Sequence, residues 1–132
     1  MKKKLLLIIL ALFIVACTSG KTEFFPSGGY SADAAEVIVI RAERIFGFGF
    51  SMNVLLDGEV IARLKAGQYV TFFIDPGVHK IGIPQSTITV MLERAKKHYF
   101  AIETDSSAFG FEIERISENK ATSWMAQSHS IN

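Results

Sequence analysis

The chain has 132 residues, of which 49% are hydrophobic and 20% are charged, and its formal net charge at pH 7 is +1. This length fits one domain, and the composition is that of a globular protein rather than a disordered one. Three of the basic residues are Lys2–Lys4, so a chain without residues 1–16 keeps eleven basic against thirteen acidic residues, a formal charge of −2. A nucleic-acid partner is therefore not expected, because such proteins carry a basic excess.

The first sixteen residues predict a cleaved signal peptide. Lys2–Lys4 precede an uninterrupted apolar run, Leu5–Val15, and small or polar residues follow from Ala16. This order of charge, short apolar core and small residues is typical of secretory signals. The alternative is a transmembrane helix, but even with Ala16 the apolar run would extend only about 18 Å, against ~30 Å of hydrocarbon.

The sequence Ile14-Val15-Ala16-Cys17 resembles the lipobox of bacterial lipoproteins, in which an aliphatic, a variable and a small residue precede the modified cysteine. The resemblance implies cleavage between Ala16 and Cys17, a diacylglyceryl group on the Cys17 sulfur and acylation, as with palmitate, of the new amino group. Several acyl chains would anchor the protein to a membrane without spanning it. Cys17 is the only cysteine in the sequence, so it has no disulfide partner within the chain.

The residue after the cysteine also carries information in this resemblance. In lipoproteins of bacteria with two membranes, Asp at that position tends to retain the protein in the inner membrane. Here the residue is Thr18, which implies the periplasmic face of the outer membrane. In a host with a single membrane, the protein would lie outside the plasma membrane.

Residues 17–35 predict a lipidated N-terminus followed by a flexible tether, because they are rich in Gly, Ser and other small residues. Residues 36–116 then show short apolar or alternating runs separated by turn signals, which predicts an all-β fold, a single antiparallel β-sandwich. Residues 36–42 are apolar on both parities, as in a strand covered on both faces. The eight predicted strands are 36–42, 50–56, 60–64, 69–74, 78–83, 87–92, 98–104 and 111–116.

The pair Asp57-Gly58 predicts a β-hairpin. A two-residue loop would pair Val54 with Ile61 and mix the apolar and polar faces. A three-residue loop, 56–58, pairs Val54 with Val60 and keeps one face apolar. Because a slip of one residue moves every side chain to the opposite face, we expect the three-residue loop.

A family resemblance accompanies these turns. The motifs Asp57-Gly58, Leu64-Lys65-Ala66-Gly67-Gln68-Tyr69 and Pro76-Gly77-Val78-His79 resemble those of small bacterial lipoproteins of an uncharacterised domain family. They are also similar to PEGA-type modules, which are extracytoplasmic, Ig-like β-sandwiches. The resemblance covers roughly residues 36–104 and implies the same fold without implying an activity. Residues 117–132 match no motif and are predicted to form a polar C-terminal tail.

Two features are candidate contact sites. In residues 45–52, Phe46, Phe48 and Phe50 share one parity and alternate with Gly47 and Gly49. This stripe either enters the core or forms an exposed aromatic loop that binds a sugar, peptide or lipid. Trp124, in the predicted tail, either packs on the domain or reaches a partner.

No catalytic or metal-binding motif is recognisable. The three histidines, His79, His98 and His129, lack the paired spacing of zinc ligands, and no Gly-x-Ser-x-Gly motif exists. We therefore expect no enzymatic activity, metal or cofactor. The sequence predicts a lipid-anchored cell-envelope protein with a structural or protein-interaction role, whose partner is an envelope protein or peptidoglycan. The alternative is a lipoprotein that binds a small glycan, peptide or lipid through the aromatic segment 45–52.

Overall fold

The structure is a computed structural model in which residues 32–42, 49–107 and 110–132 are described. The predicted signal peptide, the cleavage and lipidation pair Ala16 and Cys17, and most of the tether lie outside the described residues. Phe46 and Phe48 lie outside them as well. The structure therefore bears on the predicted domain, on Phe50 and on Trp124.

The described residues form a mostly β structure, and all eight predicted strands are confirmed. The helix and the last strand belong to the segment that the sequence predicted as a tail. The elements are β1 (Ala35–Arg41), β2 (Met52–Leu56), β3 (Glu59–Leu64), β4 (Gln68–Ile74), β5 (Gly77–Ile83), β6 (Ser86–Leu92), β7 (Lys97–Thr104), β8 (Phe111–Ile116), α1 (Glu118–Met125) and β9 (His129–Ser130).

The strands form two sheets. The first sheet has the order β8-β7-β1-β4-β9, and the second sheet has the order β3-β2-β5-β6. The prediction of a wholly antiparallel arrangement is wrong for the first sheet, because β1 is parallel to β7 and β4 is parallel to β9. Between β1 and β7 the chain forms β2–β6, which include the whole second sheet, so no local turn in the sequence indicates the pairing of β1 with β7.

β1 lies at the centre of the first sheet and is buried on both faces, as its sequence predicted. Val37 and Val39 belong to a core to which residues of both sheets contribute, including Val54, Ile81 and Phe100. Ile38 and Ile40 point to the opposite face and pack in a second cluster with Ala121 of α1. The apolar character of both parities in β1 therefore reflects two separate hydrophobic clusters.

The helix α1 covers the outer face of the first sheet. It begins after Ser117, whose side chain accepts a hydrogen bond from the backbone N–H of Lys120 at 3.3 Å, an N-cap contact. The Lys120 ammonium group lies 2.6 Å from a carboxylate oxygen of Glu103 on β7 and 3.0 Å from one of Glu114 on β8. These contacts hold the pKa of Lys120 above its ordinary value and connect the helix to two strands.

The hairpin between β2 and β3 has a two-residue loop, so the predicted three-residue loop is wrong. Asp57 and Gly58 both have positive φ, 50° and 88°, which favours the type I′ turn of two-residue hairpins. The register pairs Leu55 with Val60 but Val54 with Ala62, leaving Ile61 as an extra residue on β3. This bulge restores the buried face that the short loop would otherwise displace.

The two ends of β1 have different surroundings. At its start, the backbone N–H of Ala95 donates to the carbonyl of Asp33 at 3.0 Å, and Arg94 forms a 3.1 Å ion pair with the Asp33 carboxylate. We call this the tether end, because the chain enters the domain here. The seven residues of β1 place Arg41 roughly 20 Å away, at the opposite end.

His98 lies at the tether end, at the start of β7, and is 2% exposed. Its Nε2 lies 2.9 Å from the backbone nitrogen and 3.3 Å from the backbone oxygen of Glu93, and its Nδ1 contacts the Arg115 guanidinium. Burial lowers the pKa of His98 below its ordinary value, and the positive charges of Arg115 and Lys96 act in the same direction against the opposing effect of Glu93. The imidazole is therefore neutral in the folded protein near pH 7.

We expect the free energy of unfolding to decrease as the pH falls below about 6.5, the ordinary pKa of histidine. The unfolded chain then binds a proton at residue 98 that the folded protein does not bind, and each unit between the two pKa values costs ~1.4 kcal/mol of stability. Urea unfolding of the wild type and of His98→Gln between pH 7.5 and 5.5 measures this effect. The loss of stability should be smaller in the variant.

Exposed His129 on β9 provides the matched control. The same unfolding measurements on His129→Gln compare the removal of an exposed histidine with the removal of the buried one. Carboxylates contribute mainly below pH ~5, outside the measured window. Equal slopes for wild type and His98→Gln would contradict the assignment.

Candidate functional site

A buried arginine organises the end of the molecule opposite the tether end. Arg41, the last residue of β1, is 2% exposed. Its Nη1 donates to the carbonyl oxygens of Phe50 at 2.8 Å and of Leu64 at 2.9 Å. Burial lowers the pKa of the Arg41 guanidinium, although an arginine remains charged in proteins. The two contacts hold the segment before β2 and the end of β3 against the end of β1.

Phe50 is the one predicted aromatic contact residue of segment 45–52 that the structure describes, and it is 44% exposed. The Arg41 guanidinium carbon lies 4.6 Å from the centre of its ring. The ring of Phe111 approaches edge-on, with 5.7 Å between ring centres and an angle of 80°. Contacts with both groups fix the orientation of the Phe50 ring, while much of its surface remains open to solvent.

Phe50 borders a cleft of about 320 Å³, which we call the Phe50 cleft. It lies where β2 begins, between the segment before β2, the neighbouring strand β3 and the turn between β5 and β6. The residues that line it are Phe50, Ser51, Met52, Asn53, Arg63, Pro84 and Gln85. Its polar side chains are one guanidinium, two amides and one hydroxyl group, next to apolar surface from Phe50, Met52 and Pro84.

Arg63 is the charged residue of this cleft. It pairs across the hairpin with Asn53, and its Nε donates to the Asn53 side-chain oxygen at 3.2 Å. Within the described ranges no carboxylate lies in ion-pair distance of Arg63. The guanidinium is thus oriented by a neutral partner and keeps its charge available for an anion.

The structure does not bring the two described candidate contact residues together. Trp124 is half-buried on α1, packs in the cluster of Ile38 and Ile40, and lies 4.8 Å from the Lys120 ammonium group. Phe50 contacts Arg41. Arg41 has the same parity in β1 as Val37 and Val39, so it lies on the face opposite Ile38 and Ile40. Trp124 therefore packs on the domain, one of the two alternatives that the sequence left open.

A second polar group lies outside the Phe50 cleft, at the hairpin Asp57-Gly58. The Asp57 carboxylate lies 2.7 Å from His79 Nδ1 and accepts a hydrogen bond from the backbone N–H of Lys80 at 2.8 Å. Burial alone would raise the pKa of Asp57, but these two contacts hold it below its ordinary value. His79 Nε2 lies 2.8 Å from the Asp75 carbonyl oxygen. These contacts link two turns and leave neither ring nitrogen of His79 available for a substrate.

The described residues contain neither a metal-binding cluster nor a helix that could span a membrane. In the described part of the chain, no three His, Cys, Asp or Glu side chains come together as a group that could hold a metal ion. Within residues 32–42, 49–107 and 110–132, no helix has the length and apolar composition needed to cross a membrane.

Comparison of the chain with protein-family models, with curated proteins and with solved structures finds no match. The resemblance to PEGA-type modules stays a prediction from the sequence motifs. Function is therefore inferred from the sequence and from the geometry described above.

Proposed function

We propose that this chain is a lipid-anchored cell-envelope protein with a structural or protein-interaction role, whose two sheets pack face to face as an Ig-like or PEGA-like β-sandwich. Support for the packing comes from the shared core, in which side chains of β1, β4 and β7 meet side chains of β2, β3 and β5. Support for the anchor comes from Ile14-Val15-Ala16-Cys17 directly after the apolar run.

The interaction role is supported by the positions of the chain entry and of the Phe50 cleft at opposite ends of β1. The chain enters the domain at the start of β1, whereas the Phe50 cleft lies beside Arg41 at the end of the same strand. An anchor at Cys17 would thus join the domain at the tether end and leave the end with the Phe50 cleft, roughly 20 Å away, accessible to the envelope. The partner that this arrangement favours is an envelope protein or peptidoglycan, met by loops beside the Phe50 cleft.

A second candidate function is the binding of a small ligand in the Phe50 cleft. It is favoured by the open ring of Phe50 beside a guanidinium and two side-chain amides. An apolar surface with a few oriented polar groups is the usual composition of small-molecule sites.

Mass spectrometry of the mature protein tests the anchor. We expect loss of residues 1–16, acyl mass on Cys17 and partition into the detergent phase of a Triton X-114 extract. Cys17→Ser should keep residues 1–16 and carry no acyl mass, because the thiol is the acceptor of the lipid. A wild-type protein found in the aqueous phase without acyl mass would contradict the proposal.

Thr18→Asp is the matched variant for localisation. In a host with two membranes it should remain acylated but move from the outer-membrane to the inner-membrane fraction. Unchanged fractionation of acylated Thr18→Asp would contradict the assignment to the outer membrane while leaving the anchor in place. Cross-linking in intact cells, followed by purification, should then identify one predominant envelope partner.

A further inference from the structure

The Phe50 cleft offers a positive charge that is already oriented. The cross-strand contact with Asn53 uses Arg63 Nε, so the two terminal nitrogens of the guanidinium take no part in that contact. A guanidinium binds a carboxylate through two parallel N–H donors, which gives both strength and direction. No acidic residue lines the cleft among the described residues, so its local charge is positive although the formal charge without residues 1–16 is negative.

The rest of the lining adds a flat apolar surface and planar amides. The Phe50 ring is held by Arg41 and Phe111, so a ligand that packs against it need not immobilise a free side chain. The amides of Asn53 and Gln85 each provide donors and an acceptor, as does the Ser51 hydroxyl group. A sugar ring presents apolar C–H faces and several hydroxyl groups, and both match this lining.

The size of the cleft limits the ligand. Its volume of about 320 Å³ lies at the lower end of the ~300–1,000 Å³ of typical small-molecule sites. One or two sugar rings fit this volume better than a folded peptide or an acyl chain, whose binding would require a longer apolar channel. The lining also lacks the continuous apolar surface that an acyl chain requires, since four of its seven residues are polar.

We propose that the Phe50 cleft binds a carboxylated saccharide, with Arg63 receiving the carboxylate and Phe50 packing against the face of the sugar ring. The proposal rests on the second candidate function, ligand binding in this cleft, and specifies its ligand class. An anchor in the envelope, as proposed above, would expose this site to acidic sugars of the envelope, free or polymeric.

Two matched pairs of sugars test the carboxylate. N-acetylmuramic acid carries a lactyl carboxylate that N-acetylglucosamine lacks, and glucuronic acid carries one that glucose lacks. Each is titrated into the mature lipidated protein in detergent micelles, and amide shifts are followed by NMR. We expect saturable shifts at Met52, Asn53 and Gln85 with the acids. Affinity for the uncharged counterparts should be weaker by about tenfold or more, as for a lost hydrogen bond to a charged group.

Arg63→Gln is the test variant, because it removes the charge from an exposed side chain and should not disturb the core. It should reduce the affinity for both acids to that for their uncharged counterparts. Arg94→Gln is the control, since Arg94 is exposed at the tether end and paired with Asp33. This variant should bind both acids with the affinity of the wild type. The amide spectra of both variants establish that they are folded.

The outcomes separate the inference from the function on which it rests. Equal affinity for acids and uncharged sugars, or acid affinity unchanged in Arg63→Gln, would overturn the carboxylate assignment but leave ligand binding in the cleft intact. Absence of shifts at the cleft with all four sugars would overturn the saccharide proposal. Binding of glycan strands from which an amidase has removed the peptides, so that the lactyl carboxylates are free, by wild type but not by Arg63→Gln would identify the polymer as the source of the sugar, whereas binding of the free acids alone would identify a soluble ligand.

Discussion

Replacing Arg41 with Met should lower the free energy of unfolding by about 3 kcal/mol, a large part of the ~5–15 kcal/mol typical of a domain. Met preserves most of the side-chain volume but removes the donors to the carbonyl oxygens of Phe50 and Leu64. A buried polar group that loses its partner costs ~1–3 kcal/mol. The contacts of the guanidinium with the rings of Phe50 and Phe111 are lost as well. Urea unfolding monitored by circular dichroism measures the change.

Arg94→Met is the matched control for this prediction. The same substitution at an exposed position removes one surface ion pair, that with Asp33, and should change stability by less than ~1 kcal/mol. Arg41→Lys should be intermediate, because an ammonium group keeps the charge but lies on a side chain one bond shorter than the path to Nη1, the nitrogen that donates to both carbonyls. If Arg41→Met were as stable as Arg94→Met, Arg41 would not hold together the end of the domain with the Phe50 cleft.

Replacing Ala121 with Asp should destabilise the domain by at least ~3 kcal/mol, because it places a carboxylate in an apolar contact. Ala121 is 0% exposed and is the fully buried residue of α1 in the cluster with Ile38 and Ile40. A charged side chain here would lift the helix from the sheet and expose the outer face of β1. Thermal and urea unfolding, together with binding of a hydrophobic dye, measure both effects.

Ser123→Asp on the same helix is the control, since Ser123 is exposed. It introduces the same charge on the same helix with a smaller change in helix propensity, since Ser and Asp are both weaker helix formers than Ala, and should alter stability by less than ~0.5 kcal/mol. Similar stabilities of the two Asp variants would mean that residues 117–132 are dispensable to the domain. The structure instead makes α1 the cover of the central strand.

The strands could be predicted from the sequence because the signals that specify them are local. Alternating apolar residues and turn pairs such as Asp57-Gly58 act within a few positions. The same local rules failed for the hairpin register, because the apolar face is preserved by a bulge at Ile61 rather than by a longer loop. A bulge leaves no distinct signal in one sequence, since Val60, Ile61 and Ala62 are all apolar.

The helix α1 was not predicted, because its local sequence signal is also weak. Residues 118–125 have only three apolar members, Ala121, Trp124 and Met125, too few to show a helical period over eight positions. The helix forms where these residues can pack against the apolar outer face of β1, which Ile38 and Ile40 provide. A short helix depends on such tertiary contacts more than on its own propensity.

The candidate site was found only in part from the sequence. Phe50 belongs to a conspicuous aromatic segment, whereas Arg63 and Gln85 come from β3 and from the turn between β5 and β6. Nothing in their local sequence separates them from other exposed polar residues. Only the pairing of β2 with both β3 and β5 brings them beside Phe50. The buried Arg41 likewise resembles an ordinary strand-terminal cation until its carbonyl partners are known.

The parallel pairing of β1 with β7 has a consequence for how the chain folds. β1, the first of the described strands in the chain, has its neighbours in β4 and β7, so one side of β1 stays unpaired until residues 97–104 are available. Contacts at such sequence separation slow folding, and we expect refolding in milliseconds to seconds rather than microseconds. Late completion of this sheet is compatible with translocation of an unfolded chain, which the proposed anchoring requires.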